Sequence, residues 1–226
     1  MVMLPISDED RERIAAAVAK AERESDGEIV TIVAPRSDAY HDVGLHYAIL
    51  AMLLVPAGTL VVPQSWIDWW LAFLFGWGAG GGWRLLMLLV LGKMIFVFLV
   101  VRYALAWMPL RMAVTPKGTK HRRVRRRAVE MFHATCAQRT KGGTGILLYL
   151  SLLERRAEIV ADEAIHSRTE PEVWGEAMAA LVTEIKAGRP GDGMVGAIEK
   201  IGNVLAKCLP PQAENPNELP DRLIEI

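Results

Sequence analysis

Lys117, Lys120, Arg122, Arg123, Arg125, Arg126 and Arg127 crowd positive charge into one short stretch. Recognition of anions is the chemistry such a run offers, with lipid headgroups and nucleic acid as the phosphate-bearing candidates. Val124, Ala128, Met131, Phe132 and Cys136 recur at helical spacing through it, so the arginines occupy the other faces of an amphipathic helix. Two readings follow. Arg122, Arg123, Arg125, Arg126 and Arg127 are either a membrane-surface patch, worth about 1 kcal/mol per basic residue beside anionic lipid, or a topogenic signal on a solvated face. Nucleic acid is disfavoured, because no aromatic interleaving or reader motif accompanies the charges.

Other chemistry is poorly provided for. The chain has no GxSxG, HExxH or GxxxxGK[ST]. Gly142-Gly143 precedes a strand where a phosphate loop would link a strand to a helix, and His41, His46, His121, His133 and His166 show no ligand spacing. Cys136 and Cys208 form no CxxC pair and read as small hydrophobes, with no disulfide.

The elements that hold these residues fall into two kinds. Hydrophobic residues make up 52% of the chain and concentrate between residues 43 and 108. Residues 43–62 carry no charged side chain, and residues 85–107 carry only Lys93 and Arg102, so both stretches meet the length of a membrane-spanning helix. Residues 66–83, rich in Trp and Gly, read as an interfacial or re-entrant segment, with Trp66, Trp69, Trp70, Trp77 and Trp83 forming an aromatic belt. The alternative is that this segment crosses and the first, with Pro56, does not. Lys93 lies near the middle of the second span, where a charge costs about 2.5 to 3.5 kcal/mol on insertion scales. It either snorkels or finds an intramembrane partner such as Asp68.

On either side of the apolar block the pattern is that of a soluble α/β unit. Ser7 followed by Asp8, Glu9 and Asp10 starts a helix, and residues 28–34 follow as a β-branched strand ended by Pro35. Residues 145–152 form a nearly continuous apolar strand, suited to the centre of a sheet, and residues 157–160 return after Glu154-Arg155-Arg156. A helix opens at Pro171, residues 188–193 break it, and residues 194–208 make a last helix. If the two strand regions share a sheet, the number of crossings between them is even. The basic run after the second span then places the α/β unit in the cytoplasm, on a multi-pass protein of the inner membrane. The N-terminus lacks the pattern of a cleaved signal peptide.

GEIVTIVA (27–34), AVEMFHATCAQRT (128–140), TGILLYLSLLERRAEIVADEAI (144–165), RPGDGMVGAIEKIG (189–202) and NPNELPD (215–221) together resemble the TPM domain. That family includes thylakoid-lumen proteins associated with photosystem repair and bacterial membrane-anchored proteins. The resemblance covers roughly residues 7–35 and 117–221. It implies an α/β/α sandwich with a small mixed sheet, here interrupted by an inserted transmembrane helical hairpin. The expected division is 1–42 and 109–221 for the two parts of the domain, 43–108 for the insertion and 222–226 for a tail. Because some relatives bind calcium and some are described as acid phosphatases, the resemblance also implies an acidic site. Asp26 and Glu28 at the start of the first strand, with Asp162 and Glu163 at the end of the return strand, are the carboxylates placed to serve it, hard cations needing several oxygens that converge. Two functions are therefore expected: a non-enzymatic module that binds a membrane or envelope protein, or a calcium-dependent, acid-phosphatase-like hydrolase at the membrane face.

Overall fold

The computed structural model describes residues 6–76, 82–136, 143–169, 171–211 and 218–226. Trp77, Gly142 and much of the NPNELPD motif lie outside the described residues. The chain divides into two units, Met1–Asp38 with Lys117–Ile226, and Ala39–Pro116. The inserted unit is thus wider at both ends than the apolar block that announces it.

The first unit is a mixed α/β fold around a small sheet. Helix α1 (Asp8–Arg23) starts as its sequence requires: the Ser7 hydroxyl accepts the Asp10 N–H at 3.1 Å, and three acids fill the first turn. Strand β1 (Glu28–Ala34) lies parallel to β2 (Gly145–Ser151), and both are buried along their whole length. Strand β3 (Arg156–Ala161) returns antiparallel to β2 after a turn in which Arg155 takes a left-handed φ of 49°. The sheet order is β3-β2-β1-β4, where β4 is Ile224–Glu225. Within residues 222–226, set apart as a tail, Ile224 and Glu225 therefore add to the sheet beside Ile32 and Val33.

One face of the sheet packs Ile29, Val33, Ile146, Leu148 and Leu150 under α1, α8 (Pro171–Lys186) and α9 (Pro190–Cys208). The other face packs Val30, Ile32, Leu147 and Tyr149 under Val124, Ala128 and Phe132 of α6 (Lys117–Thr135), as the apolar stripe of that helix predicts. Cys136, buried, joins this second core, whereas Cys208 is only half buried. A short helix, α7 (Glu163–His166), follows β3.

The last helix begins earlier than expected, at Pro190 and not at Met194. Proline is favoured at the first helical position, and the glycines that read as breakers are sites of close approach. A Cβ on Gly202 would sit 2.7 Å from the Ala21 Cβ of α1, and one on Gly193 would sit 3.1 Å from the Leu181 carbonyl of α8. The RPGDGMVGAIEKIG motif is thus the seam along which α9 meets both neighbours. Gly202→Leu is expected to lower stability by about 3 kcal/mol, at the upper end of ordinary overpacking, because Ala21 can yield only by moving backbone. Chemical denaturation of the full chain in mild detergent measures it.

The second unit contains α2 (His41–Val61), α3 (Gln64–Phe75), α4 (Trp83–Ala104) and α5 (Met108–Val114). Helices α2 and α4 are long and apolar enough to cross a membrane. They pack against each other, and α2 continues through Pro56. The 12 residues of α3 rise only about 18 Å, well short of a hydrocarbon core of about 30 Å. Helix α4 buries no residue, and Leu88, Phe96, Leu60 and Trp66 are among the large apolar side chains left on the surface of this unit. Such a surface suits lipid better than water.

Candidate binding groove and the carboxylates around the sheet

The sheet has two different edges. On the β1 side the backbone is covered. The Glu28 N–H donates to the Thr144 carbonyl of the chain leading into β2, so the intervening Ile29, Thr31 and Val33 turn their backbone groups the other way. The Glu22 carboxyl accepts the Ile29 N–H at 2.8 Å, and the Val33 carbonyl accepts the Ile226 N–H at 3.2 Å. Arg11 then holds the C-terminal segment by its pair with Glu225 at 2.9 Å.

The β3 side is open. A groove of about 650 Å³ runs along Arg156–Ala161, walled by Trp174, Met178 and Val182 of α8 and by His121 and Arg125 of α6. Its two sides differ in chemistry because alternate residues of β3 face opposite ways. Ala157, Ile159 and Ala161 lie on the apolar side with α8. Glu158 lies on the other, only 8% exposed, with His121 Nδ1 at 3.1 Å and Arg125 at 3.6 Å. Burial pushes the Glu158 carboxyl above its ordinary range, against the opposing pull of His121, Arg125 and Arg156. One acid thus organises a basic rim.

The residues picked from sequence are placed as follows. Glu28 is buried and accepts the Leu219 N–H at 3.1 Å. Asp162 accepts the Gly145 N–H at 3.0 Å, on the neighbouring strand β2, and Glu163 opens α7 at the end of the groove. Asp26 precedes β1, with its N–H on the Leu209 carbonyl. All four stand at one end of the sheet, but among the described residues no three His, Cys, Asp or Glu side chains converge as a metal needs. The expected calcium quartet Asp26, Glu28, Asp162 and Glu163 is not brought together: Glu28 accepts from Leu219 and Asp162 from Gly145, on separate backbone segments. The acid that sequence reading missed is Glu22. Burial raises its pKa to about 8, assisted by Glu28 and by a hydrogen bond with Asp221. Burial likewise raises Glu28, against hydrogen bonds from Leu219 and Glu218. Nothing in the helical pattern of α1 distinguishes Glu22 from its exposed neighbours except its position facing the start of β1.

The arginines of α6 are largely engaged. Arg123 reaches Asp38 at 2.5 Å and Arg126 reaches it at 3.4 Å; Arg125 faces Glu158, and Arg127 meets Glu130 at 3.3 Å. Arg122 is exposed, with no ion pair among the described residues. The membrane-surface patch therefore offers less free charge than its sequence suggests. Lys93 sits exposed at the middle of α4, with no acid partner among the described residues, and Asp68 instead accepts from Gln64 at 3.0 Å.

No family model matches the chain, and no curated protein matches it. The fold is similar to the NMR structure of BA42 protein from the psychrophilic bacteria Bizionia argentinensis sp. nov., with a TM-score of 0.57 at 17% identity, covering 100% of this chain and 99% of that one. At that identity the likeness concerns the fold alone.

Proposed function

We propose that the chain is a membrane-anchored module of the TPM type that binds a membrane or envelope protein and carries out no reaction of its own. The observation that supports this reading best is the open groove beside β3, lined on one side by apolar and on the other by basic side chains, in a chain that also contains two helices of membrane-spanning length. A concave surface with mixed walls at a free sheet edge is suited to holding another chain. The phosphatase alternative loses its calcium quartet and keeps no specific observation in its favour.

Site-specific photocrosslinking in native membranes tests the reading. A crosslinker at Ala179 on the groove wall, or at Leu99 on α4, is expected to give discrete protein adducts; lipid adducts alone from both positions would overturn it.

The basic residues around α6 favour a cytoplasmic position for the α/β unit, at the inner membrane. With Cys136 and Cys208 replaced by Ser, Arg122→Cys is expected to resist a membrane-impermeant maleimide in cells whose outer barrier has been opened, and to react in inverted vesicles. The opposite pattern would put the unit outside.

A further inference from the structure

We infer that the edge of β3 takes an extended segment of a partner protein, alternating acidic and apolar residues, as a fifth strand of the sheet. This rests on the docking reading above and names the surface and the kind of segment.

The backbone is set up for it. The Asp162 N–H donates to the Gly145 carbonyl, and β2 and β3 run antiparallel with Leu147 opposite Val160 and Tyr149 opposite Glu158. Alternate residues of an antiparallel strand point their N–H and C=O groups the same way. Val160, Glu158 and Arg156 thus bond to β2, whereas Ala157, Ile159 and Ala161 present theirs to the groove. These outward groups have no backbone partner among the described residues. The fold treats its opposite edge differently, closing it with the Glu22 carboxyl and with its own extended C-terminus, and fastening that segment by Arg11 on Glu225. The pattern of main-chain pairing plus a basic residue on a carboxylate is therefore already used once.

The walls select the occupant. A strand laid along β3 alternates its side chains between the two helices. On one side it meets Trp174, Met178 and Val182; on the other it meets His121, Arg125 and Arg156 around the buried Glu158, while Glu163 stands at the end of the groove. Apolar residues satisfy the first side and carboxylates the second. The six residues of β3 span roughly 20 Å, enough for a partner segment of similar length. A second copy of β3 is a poor occupant: it is flanked by its own α6 and α8, and it would bring Arg156 and Arg125 to an already basic rim.

The probe is an acetylated, amidated peptide of alternating valine and glutamate, added to the full chain in detergent. Amide hydrogen exchange at Ala157, Ile159 and Ala161 is expected to slow at least tenfold, with little change at Glu158 and Val160, which are already bonded to β2. A peptide with lysine for glutamate is expected to bind at least tenfold more weakly, and Arg125→Glu with Arg156→Glu to reverse that preference, a result misfolding cannot give. Of two N-methylated versions, one carrying the methyls on valines and one on glutamates, one is expected to lose binding and the other to keep it, since only alternate amides face β3. Equal loss in both, unchanged exchange, or equal binding of the lysine peptide would each overturn the inference.

Crosslinking separates this from the broader reading. Adducts at Ala179 mapped to an acidic and apolar segment of a partner support it. Adducts from Leu99 but not Ala179, or a second copy of the chain at Ala179, overturn the strand proposal and leave docking intact. Protein adducts from neither position overturn both.

Discussion

Raising the pH from 5 to 8 is expected to destabilise the chain through Glu22, and Glu22→Gln to remove most of that slope. The folded pKa of Glu22 is about 8, above the ordinary value of 4.5, because burial and the neighbouring Glu28 and Asp221 carboxylates disfavour its charge. Between those two values the folded protein holds a proton that the unfolded chain has lost. Stability therefore falls with rising pH by about 1.4 kcal/mol per unit at most, and levels off above the folded value. Below the ordinary value both states are protonated and the contribution is fully present. Glutamine keeps an acceptor for the Ile29 N–H and a donor toward Asp221, without the charge. At pH 5 the variant should match the parent; at pH 8.5 it should be more stable by on the order of 1 to 3 kcal/mol. The comparison is made by melting parent and variant in the same detergent across the pH series. A parent whose melting point rises through this window in step with the variant would show that Glu22 is ionised in the fold. Exchange at Ile29 and near Ile226 should quicken first on the alkaline side, since Glu22 and the C-terminal segment close the same edge.

The features that repeat along the chain were legible without the structure. β-Branching gave β1, a nearly continuous apolar run gave β2, and the stripe through Val124, Ala128 and Phe132 gave the buried face of α6. Apolar length, despite Lys93 and Arg102 in the second stretch, gave α2 and α4. What was not legible depends on residues far apart in sequence. Glycines at 191 and 193 read as helix breakers until α1 and α8 are seen against them. The arginines of α6 look like free charge until Asp38 and Glu158 are placed beside them. The carboxylates make the same point: standing at strand ends was readable for Asp26, Glu28, Asp162 and Glu163, but sharing one end of the sheet and converging there depend on strand direction and order. The groove was beyond reach because a free edge is a property of sheet order, and that order became apparent only when Ile224–Glu225 took the other edge.

Arg111 shows how far the role of a basic residue can depart from its place in a charge count. In the sequence it is one more positive charge following the second apolar stretch. In the fold it is 3% exposed and has no carboxylate partner among the described residues. Its guanidinium donates instead to the carbonyls of Ala39 at 2.6 Å, Leu105 at 2.7 Å and Ala106 at 3.1 Å, and reaches His41 Nδ1 at 3.2 Å. One side chain thus joins the carbonyls of Leu105 and Ala106, just past the end of α4, where a helix leaves carbonyls without donors, to that of Ala39, just before the start of α2. It ties the neck of the hairpin. Arg111→Met keeps much of the length and removes every donor, and at roughly 1 kcal/mol or more for each carbonyl the expected loss is about 3 kcal/mol or more, greater if the neck is shielded from water. Arg111→Lys should rescue little, because a compact ammonium cannot fork to all three carbonyls. The readout is a disulfide between Gly44→Cys and Leu105→Cys, since a Cβ on Gly44 would lie 3.5 Å from that of Leu105, within reach of a bridge. In a background free of Cys136 and Cys208, that disulfide should form readily with Arg111 and several-fold more slowly with Met or Lys. Equal rates in all three would mean that packing between α2 and α4 holds the neck without Arg111.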